Sequence, residues 1–132
     1  MTAKVGTNRA GQAVVTNEQK QRFADALGRV AGDTELLIAI AALVTEDAPQ
    51  VFESLKTQLN ADELDEVAAT GHQLKGMLST FETDGPVLCL QELIYAARRG
   101  DGPEARDTLH RCESEINALI NEIRQLCHPD AD

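Results

Sequence analysis

The sequence contains no tryptophan, one tyrosine and three phenylalanines, so a hydrophobic core must be built largely from aliphatic side chains. It also lacks any convincing run of alternating apolar and polar residues between turn signals, which is the pattern of strands and hairpins. Such a sequence favours packed helices over a sheet sandwich. Its 132 residues are enough for one domain around one core.

Positive charge is scarce, with 12 Lys and Arg against 22 Asp and Glu and a formal net charge of −10. Nucleic-acid binding depends on basic side chains that neutralise phosphates, and an anionic membrane surface attracts the same side chains. We therefore expect neither partner. No apolar run approaches the roughly 18 residues that could span a bilayer, and residues 1–16 contain no apolar signal segment. A cytoplasmic location is the expectation.

The three cysteines form no CxxC pair, and their number is odd. A disulfide framework is therefore not expected, and the cysteines are predicted to be small apolar side chains in a reducing compartment. His110 and His128 could be considered as metal ligands, but no second Glu-x-x-His motif accompanies them. We predict no metal site and no cofactor.

Apolar residues recur at intervals of three and four, which is typical of helices with one buried face. Pro49 leaves two interpretations open for the second helix, one kinked helix or two helices, of which we favour the first. We predict an all-α fold, an antiparallel up-down-up-down four-helix bundle with a short extra N-terminal helix. The predicted segments are a disordered tail 1–16, the bundle domain 17–127 with helices near 17–30, 34–59, 62–82, 86–99 and 103–127, and a frayed tail 128–132.

Within the helix predicted over 62–82, one face carries the apolar residues and places Gly71 in the same row. At about 100° per residue, His72 lies about 130° from the centre of that face and should point to solvent. The side of the helix around His72 forms an outward-facing stripe, which we call the His72 stripe, and Lys75 lies at its edge. The apolar residues are Leu64, Val67, Leu74, Leu78 and Phe81, and the residues around His72 on the stripe are Asp65, Ala68, Ala69, Gly76, Ser79 and Thr83.

The segment Gly71-His72-Gln73-Leu74-Lys75-Gly76 resembles the motif of the histidine-containing phosphotransfer (HPt) domain family, which lies on the second long helix of a four-helix bundle. The resemblance covers about residues 30–125. It implies that His72 is the phosphoacceptor, that Lys75 stabilises phosphate charge, and that Gly76 keeps the imidazole accessible. Some members also place a glutamine of the next helix near the histidine. Here that position falls near Ile94, and Gln91, one turn earlier, is a weak substitute candidate.

A neutral imidazole can attack an acyl phosphate directly, but the phosphoryl donor must approach in line. Bulky neighbours would block a partner protein, so the small side chains of Ala68, Ala69 and Ser79 are predicted to line the docking surface. No Gly-rich loop or acidic Mg²⁺ site is present. The protein is therefore predicted to be a phosphoryl carrier and not an enzyme, with Mg²⁺ expected on its partner.

The resemblance implies two kinds of partner, response-regulator receiver domains and a hybrid sensor histidine kinase. The phosphoryl group would pass from a receiver aspartate to His72 and on to another receiver aspartate. We expect a monomer without nucleic-acid or membrane partners. The alternative is a helical adaptor that binds a receiver or another signalling partner without being phosphorylated.

Overall fold

The computed structural model describes residues 14–128, and all regular secondary structure in that range is helical. This confirms the predicted all-helical class. Residues 1–13 of the predicted tail 1–16 and residues 129–132 of the predicted tail 128–132 lie outside the described residues. The helices are α1 (Asn17–Arg22), α2 (Ala24–Arg29), α3 (Thr34–Asn60), α4 (Leu64–Leu78), α5 (Pro86–Arg98) and α6 (Gly102–Cys127).

The four longer helices pack in a closed ring, because α3 and α5 each contact both α4 and α6. Their inward faces form one hydrophobic core, in which Leu37, Leu55, Leu74, Leu90 and Ile116 are fully buried. Aliphatic side chains dominate this core, as the low aromatic content predicts. The bundle thereby fixes which side of each helix remains exposed.

Helix α3 is a single helix that contains Pro49, so the first of the two interpretations is correct. It begins after Asp33, whose side chain accepts a hydrogen bond from the Leu36 N–H at 3.0 Å. This cap satisfies one of the free donors at the helix N-terminus. Buried residues continue on both sides of Pro49, from Leu37 to Leu59, so tertiary packing holds the two halves in one helix.

The prediction of one N-terminal helix over 17–30 is wrong, because the chain forms two short helices that break at Phe23. The break lets the Phe23 ring enter the core, where it packs edge-on against Phe81 with 5.8 Å between ring centroids. Thr16 caps α1 through a capping box with Gln19. Val15 is also buried, so packed residues begin two positions before the predicted boundary at 17.

Helix α4 is shorter than the predicted span 62–82. It starts at Leu64, after Asp62 takes a positive φ of 58°, and its last helical residue is Leu78. Phe81 lies beyond the helix but is still only 2% exposed. The apolar spacing continues past the helix end because the following turn also faces the core. Periodicity alone does not distinguish a further helical turn from a non-helical turn that packs on the same core.

The expectation of three unpaired cysteines is wrong for two of them, because Cys89 of α5 and Cys112 of α6 form a disulfide with their Cα atoms 6.2 Å apart. Cys89 precedes Gly100 by eleven residues and Cys112 follows Asp101 by eleven. The two positions are therefore level across the α5–α6 turn, a relation that the sequence spacing contains but that only the helix pairing makes visible. Cys127 is free.

Within residues 14–128, no helix is both long enough and apolar enough to cross a membrane.

Candidate functional site

His72 lies near the middle of α4 and its side chain is exposed, as predicted. The opposite side of the helix supplies Val67, Leu74 and Leu78 to the core. Burial of that side fixes the rotation of α4, and this rotation holds the imidazole outward. The apolar pattern of one helix thus positions the candidate nucleophile.

Gly71 brings α4 close to α5. A Cβ atom at this position would lie 3.0 Å from Cγ1 of Ile94 and 3.8 Å from Cδ2 of Leu93. That space is tighter than almost all real contacts of a Cβ, so the absence of a side chain permits the observed helix separation. Close packing of α4 against α5 therefore explains the glycine at position 71.

Lys75 follows His72 by one helical turn and is half-buried at the edge of the His72 stripe. Its ammonium donates a hydrogen bond to the side-chain carbonyl oxygen of Gln91 on α5. Gln91, which was only a weak substitute candidate for the family's glutamine, therefore contacts Lys75 of the motif. Helix register could have predicted this pair. Gly71 lies opposite Ile94, so one turn forward along α4 and one turn back along α5 bring Lys75 opposite Gln91.

The predicted docking residues differ in their exposure. Ala69 and Gly76 are exposed, and Ser79 is half-buried with its hydroxyl donating to the Lys75 carbonyl. Ala68 is only 9% exposed and belongs to the hydrophobic core. Its predicted place on the exposed stripe is therefore wrong, because Ala68 lies on the same side of α4 as Gly71, where α5 approaches closely.

Gly76 stands in open space. Apart from its chain neighbours and the adjacent backbone of α4, a Cβ atom built on it would meet no atom of residues 14–128 within 4 Å. Packing within the chain therefore supplies no reason for a glycine here, although glycine costs about 1 kcal/mol relative to alanine inside a helix.

An ion-pair cluster lies beyond the C-terminal end of α4, and it was not predicted from the sequence. Arg22 pairs with Glu82 at 2.9 Å and with Glu122 at 3.0 Å. The hydrogen bond to Glu122 raises the pKa of Arg22, although burial opposes the shift. Burial alone would raise the pKa of Glu82, but hydrogen bonds from the Asp84 N–H and from Arg22 lower it overall. This cluster fixes α1 to the bundle and is separate from His72.

A polar groove lies between α3 and α4, on the flank of α4 away from Lys75. It is lined by uncharged side chains and includes the buried Oε1 atom of Gln58, which accepts no hydrogen bond from any group of residues 14–128. Across the part of the chain that the structure describes, no three His, Cys, Asp or Glu side chains form a group that could hold a metal ion. The lining residues are Gln50, Val51, Ser54, Gln58, Thr70 and Gln73.

Comparison with protein-family models finds a match to the Hpt domain over residues 39–128, which is most of the chain and includes α4 and the whole His72 motif. No curated protein and no solved structure gives a significant match. Hpt domains carry phosphoryl groups on a histidine in phosphorelays and are carriers rather than enzymes in their own right. The extent of the match and the exposed histidine in an all-helical bundle agree, and the chain belongs to the Hpt domain family.

Proposed function

We propose that His72 is the phosphoacceptor of a phosphorelay, receiving a phosphoryl group from a receiver-domain aspartyl phosphate and passing it to another receiver aspartate. The observation that carries this proposal is an exposed histidine at the centre of α4, flanked by a lysine and by a glycine in open space. Both flanking residues belong to the motif that resembles the family's phosphoacceptor segment.

In the proposed step, the lone pair of the unprotonated imidazole nitrogen of His72 attacks phosphorus. A nitrogen–phosphorus bond forms, and the bond from phosphorus to the aspartyl oxygen breaks. The aspartate leaves as a carboxylate with the bonding electron pair, and the proton on the other ring nitrogen stays there or passes to solvent. The reverse sequence delivers the phosphoryl group to the next receiver.

The neighbours of His72 have distinct proposed roles. Lys75 places a positive charge one turn away on the side of α4 that faces α5, where it can attract phosphoryl oxygens. Because the ammonium is only half-buried, the attraction is worth about 1 kcal/mol or less. Gly76, Ala69 and Ser79 leave room for the partner surface, whereas Ala68 supports this surface from beneath.

The partners in this proposal are response-regulator receiver domains and a hybrid sensor histidine kinase, and Mg²⁺ is held by the receiver. We also propose the up-down-up-down topology for α3–α6. It is supported by contacts that pair Gly71 with Ile94 and Lys75 with Gln91 in opposite order along α4 and α5. Cytoplasmic location and a monomeric state stay predictions.

The test is phosphoryl transfer from a panel of phosphorylated receivers with Mg²⁺, followed by mapping of the phosphorylated residue. His72→Gln should abolish labelling. His110→Gln is the matched control, because His110 is an exposed histidine on α6 and its loss should leave labelling unchanged. Equal labelling of His72→Gln and wild type would contradict the proposal. Tight receiver binding without labelling of the wild type by any receiver would favour the adaptor alternative.

A further inference from the structure

The hydrogen bond between Lys75 and Gln91 joins two helices beside the phosphoacceptor. The donor is on α4 and the acceptor on α5, and both side chains are half-buried. The close contact of Gly71 with Ile94 lies one turn away. That contact sets the separation of α4 and α5, so Gln91 meets the ammonium at a defined place.

The side-chain amide of Gln91 is neutral, so it does not compensate the positive charge of Lys75. Lys56 contacts two carboxylates, with Glu53 at 2.7 Å and Glu113 at 3.3 Å. By contrast, among residues 14–128 no carboxylate lies within 4.0 Å of the Lys75 ammonium. In a chain with a net charge of −10, the lysine beside His72 is held by an amide oxygen that leaves its positive charge uncompensated.

Geometry also leaves the lysine able to bind a second group. An ammonium has three N–H donors, and Gln91 takes one of them. The two others remain for phosphoryl oxygens. A lysine side chain is long and flexible, and immobilising it in advance lowers the entropy lost when it binds the phosphoryl group.

We propose that Gln91 is a positioning residue for phosphotransfer, because it orients the Lys75 ammonium toward the phosphoryl group on His72 without neutralising it. This inference rests on the proposed function of His72. Gln91 itself acts through Lys75 and does not contact the reacting atoms.

The experiment compares wild type with variants of Gln91 and measures the rate at which a small donor, phosphoramidate, phosphorylates His72. No receiver is used, so receiver docking does not affect the rate. Gln91→Leu removes the acceptor and should slow phosphorylation about twofold, because it can lose only part of the contribution of Lys75, which is itself about fivefold at most. Gln91→Glu keeps an acceptor but places a carboxylate against the Lys75 ammonium and so compensates its charge. This variant should also be phosphorylated more slowly than wild type. Gln50→Leu is the control, because Gln50 is exposed on α3 and bonds only its own helix, and its rate should equal that of wild type.

A double-mutant comparison separates positioning from a general structural effect. In a Lys75→Ala background, Gln91→Leu should cause no further slowing, because the residue through which it acts is gone. Equal slowing in both backgrounds would overturn the inference, and so would an unchanged rate for Gln91→Leu in the wild-type background.

A second readout does not depend on phosphorylation. Nuclear magnetic resonance of the lysine side chains should show the Lys75 ammonium more mobile in Gln91→Leu than in wild type, with Lys56 unchanged. Equal mobility of Lys75 in both proteins would overturn the inference even if His72 were phosphorylated. Absence of phosphorylation on wild-type His72 with every donor would instead contradict the proposed function.

Discussion

Two glycines on α4 serve opposite purposes, although both lie within one turn of His72. Gly71 faces α5, where a side chain would press against Ile94, whereas Gly76 faces open space. The first glycine is explained by packing inside the molecule. No contact among residues 14–128 explains the second, so its substitution tests the proposal that a receiver approaches α4 closely at this position.

We expect Gly76→Ala to raise the free energy of unfolding by about 1 kcal/mol, because alanine favours the helix and the new methyl group meets nothing among residues 14–128 beyond the adjacent turn of its own helix. The same change should slow phosphoryl transfer from a receiver but not from phosphoramidate. Denaturant unfolding and the two transfer rates measure these effects.

The control for that prediction is Gly71→Ala. The methyl group there would lie 3.0 Å from Ile94 Cγ1, so Ile94 must shift and the helix-propensity gain is offset. If Gly76→Ala leaves receiver transfer unchanged, close approach at this position is not required and the accessibility role of Gly76 is wrong.

At the scale of elements, α1 and α2 are attached to the bundle by a few specific contacts. Phe23 packs on Phe81, and Arg22 bridges Glu82, in the turn after α4, to Glu122 on α6. The Arg29 guanidinium also donates to the Thr80 carbonyl at 2.8 Å. These contacts close the end of the core, and the ion pair between Arg22 and Glu82 depends on pH.

Glu82 should make unfolding depend on pH under acidic conditions. Its pKa in the folded protein is lowered despite burial, by hydrogen bonds from Asp84 and Arg22. A carboxyl whose folded pKa lies below its unfolded value stabilises the fold above the unfolded pKa, about 4.3, and that stability is lost as pH falls through the folded pKa.

Glu82→Gln should therefore flatten the dependence of the free energy of unfolding on pH below about 4.3. Glu92→Gln is the control, because Glu92 is exposed on α5 and makes no ion pair among residues 14–128. Denaturant titrations at a series of pH values compare the two. Parallel pH profiles for Glu82→Gln and wild type would show that Glu82 does not contribute.

At the scale of the whole molecule, the Cys89–Cys112 disulfide links α5 to α6 across 23 residues of sequence. Closing a loop of this length restricts the unfolded chain and stabilises the fold by about 3 kcal/mol. We expect a reducing agent to lower the free energy of unfolding by about that amount, as measured in guanidinium titrations with and without reductant.

Cys89→Ser should remove the effect of the reductant, whereas Cys127→Ser should retain it because Cys127 is outside the disulfide. Counting thiols in the unfolded protein provides an independent check. One reactive thiol before reduction and three afterwards are expected, and three thiols before reduction would show that the disulfide is absent.

The amino-acid sequence was enough to predict the helical class, the exposure of His72 and the motif of the family, and it favoured one helix through Pro49 over two. Each of these depends on residue spacing within one helix or on a short run of residue types, both of which are local properties. The buried face of α4 is an example, because Val67, Leu74 and Leu78 lie within three turns of His72. Local spacing is enough to predict which way that imidazole points.

Features that depend on how two segments pack against each other became visible only in the folded molecule. The break at Phe23, the helix end at Leu78, the burial of Ala68, the disulfide and the contact of Lys75 with Gln91 all belong to this group. A periodic pattern gives the direction of a side chain from its own helix but not the distance or register of the neighbouring one. The exposed His72 could therefore be predicted from α4 alone, whereas the contact of Lys75 with Gln91 required α5 to be in place.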